Sequence, residues 1–525
     1  MLNQNSVLKE NNKNVSYYCI ALFFVLLSVF LHLYKLDSIP HSLNVDEAGL
    51  WYNVKCLLNY GTDQKGNTWP ILFANLWGEQ SPAYIYLAFI CCKIFGDTLF
   101  AIRLPSVINT LIIMIFGEKI VNLIFKDKRI NLLFLILYTI TPYFTIISKM
   151  ALDCNLMLGF STVFLYFFLK AVESNSTKYF LVSGIICGLT FYTYALSYLM
   201  IPLFLIFSLI YLFYFKKITI KNIMIFAIPA FILGLPLLMI QIINIFDLNE
   251  ISVLMVTFPK FDTNRGGEFS CNIGNILFNL VLAIIFIFKA LEKSIYNIPV
   301  GYLYYISSIL ILIGWGLTIK EFIISIKEKS FKYVNFMLFW AISIIITLLF
   351  LNKGRDLYQQ CAIYISYMIF LINSFVHIFH KINNKKIARI IALVISVIYF
   401  VSFVLFLQFY FVQYDEFASE TKLMAAEVPT EINELEGTTY FLKSYAYYQA
   451  TYGVLPSEFR TEQTGPFVYN NIVFNFYFYP DTPVDTKCNY VIYYKDFDTM
   501  QYFNKDDFKI SRIGDYLFYL SRTTQ

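Results

Sequence analysis

The acidic side chains in the first polar stretch of the chain, residues 44–106, are the best candidates for chemistry. Asp46 and Glu47 stand side by side just after the first apolar run, and Glu79 follows in a Gly-Glu-Gln-Ser-Pro sequence. Apolar segments flank these carboxylates, and keeping a charge beside a membrane is costly unless a partner compensates it. The stretch is therefore predicted to hold a reactive site on one face of a membrane.

An acidic pair flanked by cations fits group transfer from a lipid phosphate. The acceptor hydroxyl must lose a proton to a base or be polarised by a metal, and the leaving phosphate must be neutralised by cations. Asp46, with Glu47 beside it, is the predicted catalytic carboxylate. Arg103 enters a membrane helix from the outer side, where a bound anion such as a prenyl phosphate is a reasonable partner. Two further outer loops carry basic residues that could hold phosphate, Lys149 and Arg355.

Each of these residues also has a structural interpretation. Asp46 precedes helix-forming residues and could cap a helix. Glu79 ahead of Pro82 also fits a plain helix start. Arg103 could snorkel to the interface, or pair with Asp97 or with an acid of the loop. Residue types and spacing leave these alternatives open.

The composition indicates an integral membrane protein. Of its residues, 58% are hydrophobic and only 14% are charged, with a mean hydropathy of +0.61, whereas soluble domains carry about 25% charged residues. The net charge of +5 lies in short Lys/Arg loops, which is an orientation signal and gives no indication of nucleic-acid binding. The nine cysteines contain no CxxC, so neither a disulfide framework nor a zinc site is predicted.

Apolar runs long enough to cross a bilayer recur along the chain. About eleven are expected, at residues 17–34, 103–125, 130–147, 152–172, 179–196, 198–215, 222–245, 302–319, 333–351, 358–380 and 388–412. A further run at 276–291, inside the outer loop 246–301, is ambiguous. We therefore predict an all-α polytopic membrane protein with about eleven to thirteen transmembrane helices.

Two shorter segments of the first outer loop are expected to be helical without spanning. Residues 47–60 carry apolar side chains at helical spacing and suit a helix lying along the membrane surface. Residues 83–95 are apolar but short. If they do not span, the basic loops near 126–129, 216–221, 320–332 and 381–389 all fall in the cytoplasm, as the positive-inside rule favours. A surface or re-entrant helix is therefore predicted there.

The predicted organisation has three parts. Residues 1–16 form a cytoplasmic tail, and residues 17–412 form the transmembrane catalytic domain with its first outer loop at 35–103. Residues 413–525 form a small extracytoplasmic α/β domain. It begins with an acidic helix-permissive stretch, 416–436, and continues with Tyr/Phe/Val-rich runs that predict strands at 438–442, 472–479, 490–494 and 516–520.

The order of motifs in the first outer loop resembles the GT-C superfamily. An early Asp-Glu pair is followed by a GxDxxG-like turn at 61–66, a Pro-opened SPxYxYL segment at 81–87, and Ala-Ile-Arg-Leu-Pro-Ser at 101–106. The nearest resemblance is to the branch of dolichyl-phosphate-mannose protein mannosyltransferases and aminoarabinose lipid A transferases, over about residues 30–170. It implies an integral membrane enzyme that uses a polyprenyl-phosphate sugar.

The resemblance also implies roles for individual residues. Asp46 would be the catalytic or acceptor-positioning carboxylate, and Glu79 a second acid that helps it hold a divalent metal ion, the candidate cofactor. Gln80 departs from the basic residue often found at that position. In the segment 148–153, Lys149 stands where the family usually has Arg. The residues left to bind the donor phosphate are Arg103, Lys149 and Arg355.

The predicted function is a glycosyltransferase that moves a sugar from a polyprenyl-phosphate donor to a cell-envelope acceptor on the outer face of the membrane. Frequent Lys, Asn, Ile, Phe and Tyr suggest an AT-rich bacterium, hence a plasma-membrane protein in contact with lipids. A transporter or flippase of lipid-linked sugars is the alternative, and it predicts broken helices and repeat symmetry. Pro229 and Pro236 are the main sign of a broken helix, and the sequence contains no repeat. A glycan polymerase or ligase would place its acids and arginines in a late outer loop, and a membrane scaffold would need none.

Overall fold

The computed structural model describes most of the membrane part of the chain and separate strands of its C-terminal part. The described residues are 2–40, 45–75, 78–253, 256–260, 272–289, 301–351, 361–413, 439–441, 467–469, 472–474, 488–493, 507–513 and 517–522. Arg355 and the acidic helix-permissive stretch at 416–436 lie outside them.

Helices make up nearly all of the membrane part. Their bounds are α1 (Leu2–Leu33), α2 (Val45–Tyr60), α3 (Pro82–Phe95), α4 (Leu99–Phe125), α5 (Lys128–Ile140), α6 (Pro142–Ile147), α7 (Asp153–Ser174), α8 (Thr177–Thr190), α9 (Ser197–Tyr214), α10 (Ile220–Ile245), α11 (Ile273–Lys289), α12 (Tyr305–Lys327), α13 (Asn335–Leu349), α14 (Tyr364–Lys381) and α15 (Lys385–Leu407). A short π-helix, Gln408–Val412, continues α15.

The predicted all-α membrane architecture is confirmed. Every predicted span coincides with a helix: α1, α4, α5 with α6, α7, α8, α9, α10, α12, α13, α14 and α15. Within the described residues, seven helices are long and apolar enough to cross a membrane, and four further apolar helices are shorter. The ambiguous run at 276–291 is helical, as α11. Which side of the membrane each loop faces stays a prediction.

Local sequence signals explain the turn between α4 and α5. Thr98 caps the start of α4 by accepting a hydrogen bond from the Ala101 amide, and Lys126 ends the helix in the left-handed conformation. Asp127 then caps α5 by accepting from the Arg129 amide at 2.8 Å. Only two residues separate the two helices, which pack against each other, so α4 and α5 form a tight hairpin.

The centre of the bundle is α7, most of whose membrane-spanning length is buried among its neighbours. It packs against α4 and α8 and touches α3 and α14. Close packing also occurs between α12 and α14, where a side chain at Gly314 would overlap the carbonyl oxygen of Phe370. The N-terminal end of α7 therefore lies on a helix that several other helices contact.

The first outer loop folds onto this end of the bundle. It contains α2, α3 and an antiparallel hairpin of β1 (Phe73–Asn75) and β2 (Gly78–Gln80). The helix predicted at 47–60 is confirmed, and Leu50, Val54 and Leu57 are buried as expected. However, Tyr52 and several other residues outside the predicted apolar stripe are also buried: Ala48, Asn53 and Cys56. Neighbouring elements therefore cover more of α2 than its apolar stripe alone predicts. Its position along the membrane surface stays a prediction.

The C-terminal part contains a six-stranded mixed sheet. Its strands are β5 (Thr439–Phe441), β6 (Phe467–Tyr469), β7 (Ile472–Phe474), β8 (Asn489–Tyr493), β9 (Phe508–Ile513) and β10 (Leu517–Arg522), and the short hairpin of β3 (Ile251–Val253) and β4 (Val256–Phe258) precedes them in the chain. The order is β6-β7-β5-β8-β10-β9, with β5 parallel to β7 and β8 and the other pairs antiparallel. Each of the four predicted strands is confirmed, and β6 and β9 were not predicted.

Candidate functional site

Asp46 and Glu47 lie in the first turn of α2 and point in different directions. Successive helical residues are turned by about 100°, so the two side chains meet different surroundings. Glu47 is completely buried, whereas Asp46 is only half-buried. Both carboxylates lie at the positive end of the helix dipole, which stabilises negative charge. Because α2 begins at Val45, Asp46 sits inside the helix rather than at its cap.

The Glu47 carboxylate is held by a buried ion pair. Its Oε1 lies 3.3 Å from Arg103 Nε and accepts a hydrogen bond from the Ala151 amide at 2.6 Å. Both charged side chains have no exposed surface. Arg103 Nη1 donates to the carbonyl oxygens of Leu36 and Pro40 at 3.2 and 2.9 Å. Of the alternatives for Arg103, pairing with a loop acid is confirmed and snorkelling is wrong.

A second acid, Asp153, lies at the start of α7 and is 7% exposed. Its Oδ1 accepts a hydrogen bond from the Cys154 amide at 2.8 Å. Asp46 adjoins Glu47, whose carboxylate accepts a hydrogen bond from the Ala151 amide two residues before Asp153, so the fold brings the two acids to the same end of α7. Sequence reasoning placed Asp153 only in a candidate phosphate loop. The pattern that could have identified Asp153 is an acidic residue at the N-terminal end of a predicted membrane helix.

Lys149 is buried against the end of α1. Its Nζ donates to the carbonyl oxygens of His32 and Tyr34 at 3.3 and 2.5 Å, and lies 5.4 Å from the ring centre of Phe411. Carbonyl oxygens at a helix C-terminus attract a cation. Burial, together with the nearby Arg103 charge, lowers the pKa of the Lys149 ammonium to about 7, with the Asp37 carboxylate acting in the opposite direction.

We expect Lys149 to make stability depend on pH. Its pKa is about 7 in the fold and about 10.5 in an unfolded chain, so between these values the unfolded chain binds the extra proton. The free energy of unfolding should therefore rise with pH above about 7. Thermal unfolding in detergent at about pH 7 and about pH 9 would show it.

The matched variants are Lys149→Met, which should lose this rise in stability, and Lys65→Met, which changes an exposed lysine of the first outer loop and should keep it. If the free energy of unfolding rose equally with pH in both variants, a group other than Lys149 would be responsible.

Glu79 lies in β2, opposite Ala74 of β1. Its Oε1 accepts a hydrogen bond from Gln241 Nε2 of α10 at 3.2 Å, a contact that the sequence did not suggest. The helix start predicted at Pro82 is confirmed, with Ser81 at the N-cap position and Glu79 two residues before it. Gln80 is buried too, and its Oε1 accepts from Asn53 Nδ2 at 3.3 Å.

The GxDxxG-like turn is organised by Asp63, which is 1% exposed. Its Oδ1 accepts from the amides of Lys65 and Asn67, and its Oδ2 from Asn67 Nδ2 and the Ala74 amide, all at 2.9 to 3.1 Å. Gly61 and Gly66 both have positive φ values, which the tight loop requires and glycine adopts without strain. This motif therefore supports the loop and its β-hairpin.

The predicted metal site on Asp46 and Glu79 stays a prediction. Across the described part of the chain, no three His, Cys, Asp or Glu side chains are grouped to hold a metal ion. Two carboxylates fall short of a complete protein ligand set. They could still contribute to a hydrated Mg²⁺ that a substrate phosphate also binds, because that ion keeps several waters.

The chain resembles known proteins both in sequence and in fold. Residues 79–242 match the family model for dolichyl-phosphate-mannose-protein mannosyltransferases. The structure of ArnT from Cupriavidus metallidurans bound to undecaprenyl phosphate superposes with a TM-score of 0.53 and 10% identity, covering 97% of this chain and 98% of that one. The apo structure of the same protein gives 0.54 and 11%, covering 98% of each chain. The search of curated proteins gave no match.

These findings confirm the predicted resemblance to the GT-C superfamily. The fold is ArnT-like, and the likeness extends over nearly the full length of both chains. At such low sequence identity the structural likeness shows the fold alone.

Proposed function

We propose that the protein is a membrane glycosyltransferase that takes its sugar from a lipid-phosphate-linked donor. The observation that supports this best is the convergence of Asp46 and Asp153 at one end of α7, beside the buried pair of Glu47 and Arg103. The ArnT-like fold and the match to a mannosyltransferase family model support the same chemistry.

In this mechanism Asp46 orients or deprotonates the acceptor hydroxyl. It is the more open of the two acids in the first turn of α2, and general-base catalysis requires hydrogen-bond reach to the acceptor. Asp153, at the start of α7, accepts a second hydrogen bond from the acceptor and fixes its orientation. The acceptor oxygen attacks the anomeric carbon, and the bond from that carbon to the lipid phosphate breaks.

The leaving phosphate takes up negative charge, which a preorganised cation stabilises strongly in a site that excludes water. Lys149 is the described basic residue best suited to this. Its described partners are carbonyl oxygens and an aromatic ring rather than a carboxylate. A phosphate close to Lys149 would raise its pKa from about 7 and keep it charged. Arg355 stays a second candidate for the same role.

The donor we propose is a polyprenyl-phosphate sugar, and the acceptor is a glycolipid, polysaccharide or protein of the cell envelope. The relative whose structure was solved with undecaprenyl phosphate supports the lipid carrier. The basic loops support a multi-pass plasma-membrane protein with its N-terminus in the cytoplasm, and its active site and C-terminal domain outside. The transporter alternative loses its main hint, because α10 runs unbroken through Pro229 and Pro236.

The test is transfer by the purified protein in detergent. A panel of radiolabelled polyprenyl-phosphate sugars would be offered with a crude envelope extract as acceptor, with Mg²⁺ or with a chelator. We expect transfer from at least one donor, and the chelator arm decides whether a divalent ion takes part. A folded protein that transfers from no donor, but moves lipid-linked sugars across vesicle membranes, would overturn the proposal in favour of a transporter.

A further inference from the structure

We propose that Glu47 and Arg103 are positioning residues: their buried ion pair fixes the starts of α2 and α7, where Asp46 and Asp153 lie, and Arg103 is not a ligand of the donor phosphate. The inference rests on the proposed function and goes beyond it. It assigns to the pair a role that differs from both predictions made from the sequence, catalysis for Glu47 and phosphate binding for Arg103.

The pair joins four segments that are distant in the chain. Glu47 belongs to α2 and Arg103 to α4, while the Leu36 and Pro40 carbonyls belong to the segment after α1. The fourth segment enters through the Ala151 amide, which donates to Glu47 Oε1 at 2.6 Å. Asp46 directly precedes Glu47, and Asp153 follows Ala151 by two residues. One carboxylate therefore sets the backbone next to both catalytic acids.

The segment between α6 and α7 depends on such side-chain contacts. Ser106 Oγ and Asn155 Nδ2 both donate to the Met150 carbonyl, at 2.6 and 2.8 Å. Asn155 Nδ2 also donates to the Ile147 carbonyl at 3.0 Å. Polar side chains of α4 and α7 therefore anchor this segment by hydrogen bonds, and Glu47 accepts the hydrogen bond of the Ala151 amide. Loss of the pair should leave it anchored but displaced.

The surroundings of Arg103 also argue against phosphate binding. Its Nε faces the Glu47 carboxylate, which neutralises the guanidinium and would repel a phosphate, and its Nη1 donates to two backbone carbonyls. Lys149 is equally buried, but its described partners are carbonyl oxygens and an aromatic ring, which carry no charge. Arginine that recognises phosphate usually offers two parallel N–H groups to the anion. Here the fork faces a protein carboxylate and the chain itself, so a phosphate would have to displace native contacts.

The proposal is tested by separating turnover from donor binding in Arg103→Met, Glu47→Gln and the double variant E47Q/R103M. A displacement of about 1 Å at the reacting groups costs on the order of 100-fold in rate, so each single variant should lose about that much in kcat. The donor KM and the binding of unlabelled polyprenyl phosphate should change by less than about twofold, because the pair does not touch the phosphate. The double variant should lose no more than the worse single variant, since both singles break the same interaction.

The matched control is Asp97→Asn, which breaks the exposed 3.6 Å pair between Asp97 and Lys55 of α2. It should keep kcat and donor KM. The opposite pattern in Arg103→Met, with donor KM and polyprenyl-phosphate affinity weakened about tenfold or more and kcat kept, would make Arg103 a phosphate ligand and overturn the proposal.

A second measurement does not need activity. Hydrogen exchange of the amides at 148–153 should become at least about tenfold faster in Arg103→Met and Glu47→Gln, because the Ala151 amide loses its fixed acceptor. The double variant, which leaves neither charge buried without its partner, covers the case in which a single variant fails to fold. Unchanged exchange in all three would overturn the positioning role even if no donor were found. Faster exchange together with no wild-type transfer would instead contradict the proposed function alone.

Discussion

Asp46→Asn should abolish sugar transfer and leave the protein folded. Asparagine has the size and shape of aspartate but cannot take a proton, and loss of a general base typically lowers turnover by about 10² to 10⁴-fold. The side chain is half-buried at the start of α2, where the lost charge–dipole interaction costs about 0.3–1 kcal/mol, and the asparagine amide keeps an oxygen that can accept hydrogen bonds. Turnover with the active donor and the thermal unfolding midpoint would be measured on the same sample.

Asp97→Asn serves as the control, since it removes an exposed carboxylate of the same outer loop that pairs with Lys55. We expect it to transfer at the wild-type rate. Wild-type turnover in Asp46→Asn would remove Asp46 from the mechanism and leave Asp153 as the acid to examine next.

Asp63→Ala should destabilise the first outer loop more than any exposed substitution in it. The carboxylate is 1% exposed and accepts four hydrogen bonds. Alanine would leave buried donors without an acceptor, and hydrogen bonds to a charged group contribute about 1.5–3 kcal/mol each, not additively. We expect the loop to lose at least about 3 kcal/mol, measured as faster hydrogen exchange at residues 61–75.

The comparison for Asp63 is Asp97→Ala, which loses an exposed ion pair with Lys55 and one hydrogen bond from Trp51 Nε1, and exposed ion pairs contribute only about 0–1 kcal/mol. Transfer should fall in Asp63→Ala as well, because the loop leads into the hairpin that holds Glu79. Equal exchange in the two variants would show that the hydrogen bonds of Asp63 do not stabilise the loop.

Local sequence patterns were enough to predict the membrane architecture. A helix that crosses a bilayer must satisfy its backbone internally and be apolar along its length, so each span leaves its own signal. The same locality explains why Pro82 correctly predicted the start of α3 and why four strands of the C-terminal sheet were found. The order of acidic and basic motifs in the first outer loop was enough to indicate the superfamily.

The tertiary structure alone decided which residues act together. Glu47 and Arg103 are 56 positions apart, and Glu47 and Ala151 are 104 apart. No periodicity relates residues at such distances, because side-chain pairing between packed helices depends on how the helices cross. The same dependence on contacts between distant segments explains why the sequence misjudged the burial of α2 and the importance of Asp153. The burial of α2 on nearly every side depends on neighbours far away in the chain. Asp153 gained significance only when the packing of the bundle brought the start of α7 to Asp46.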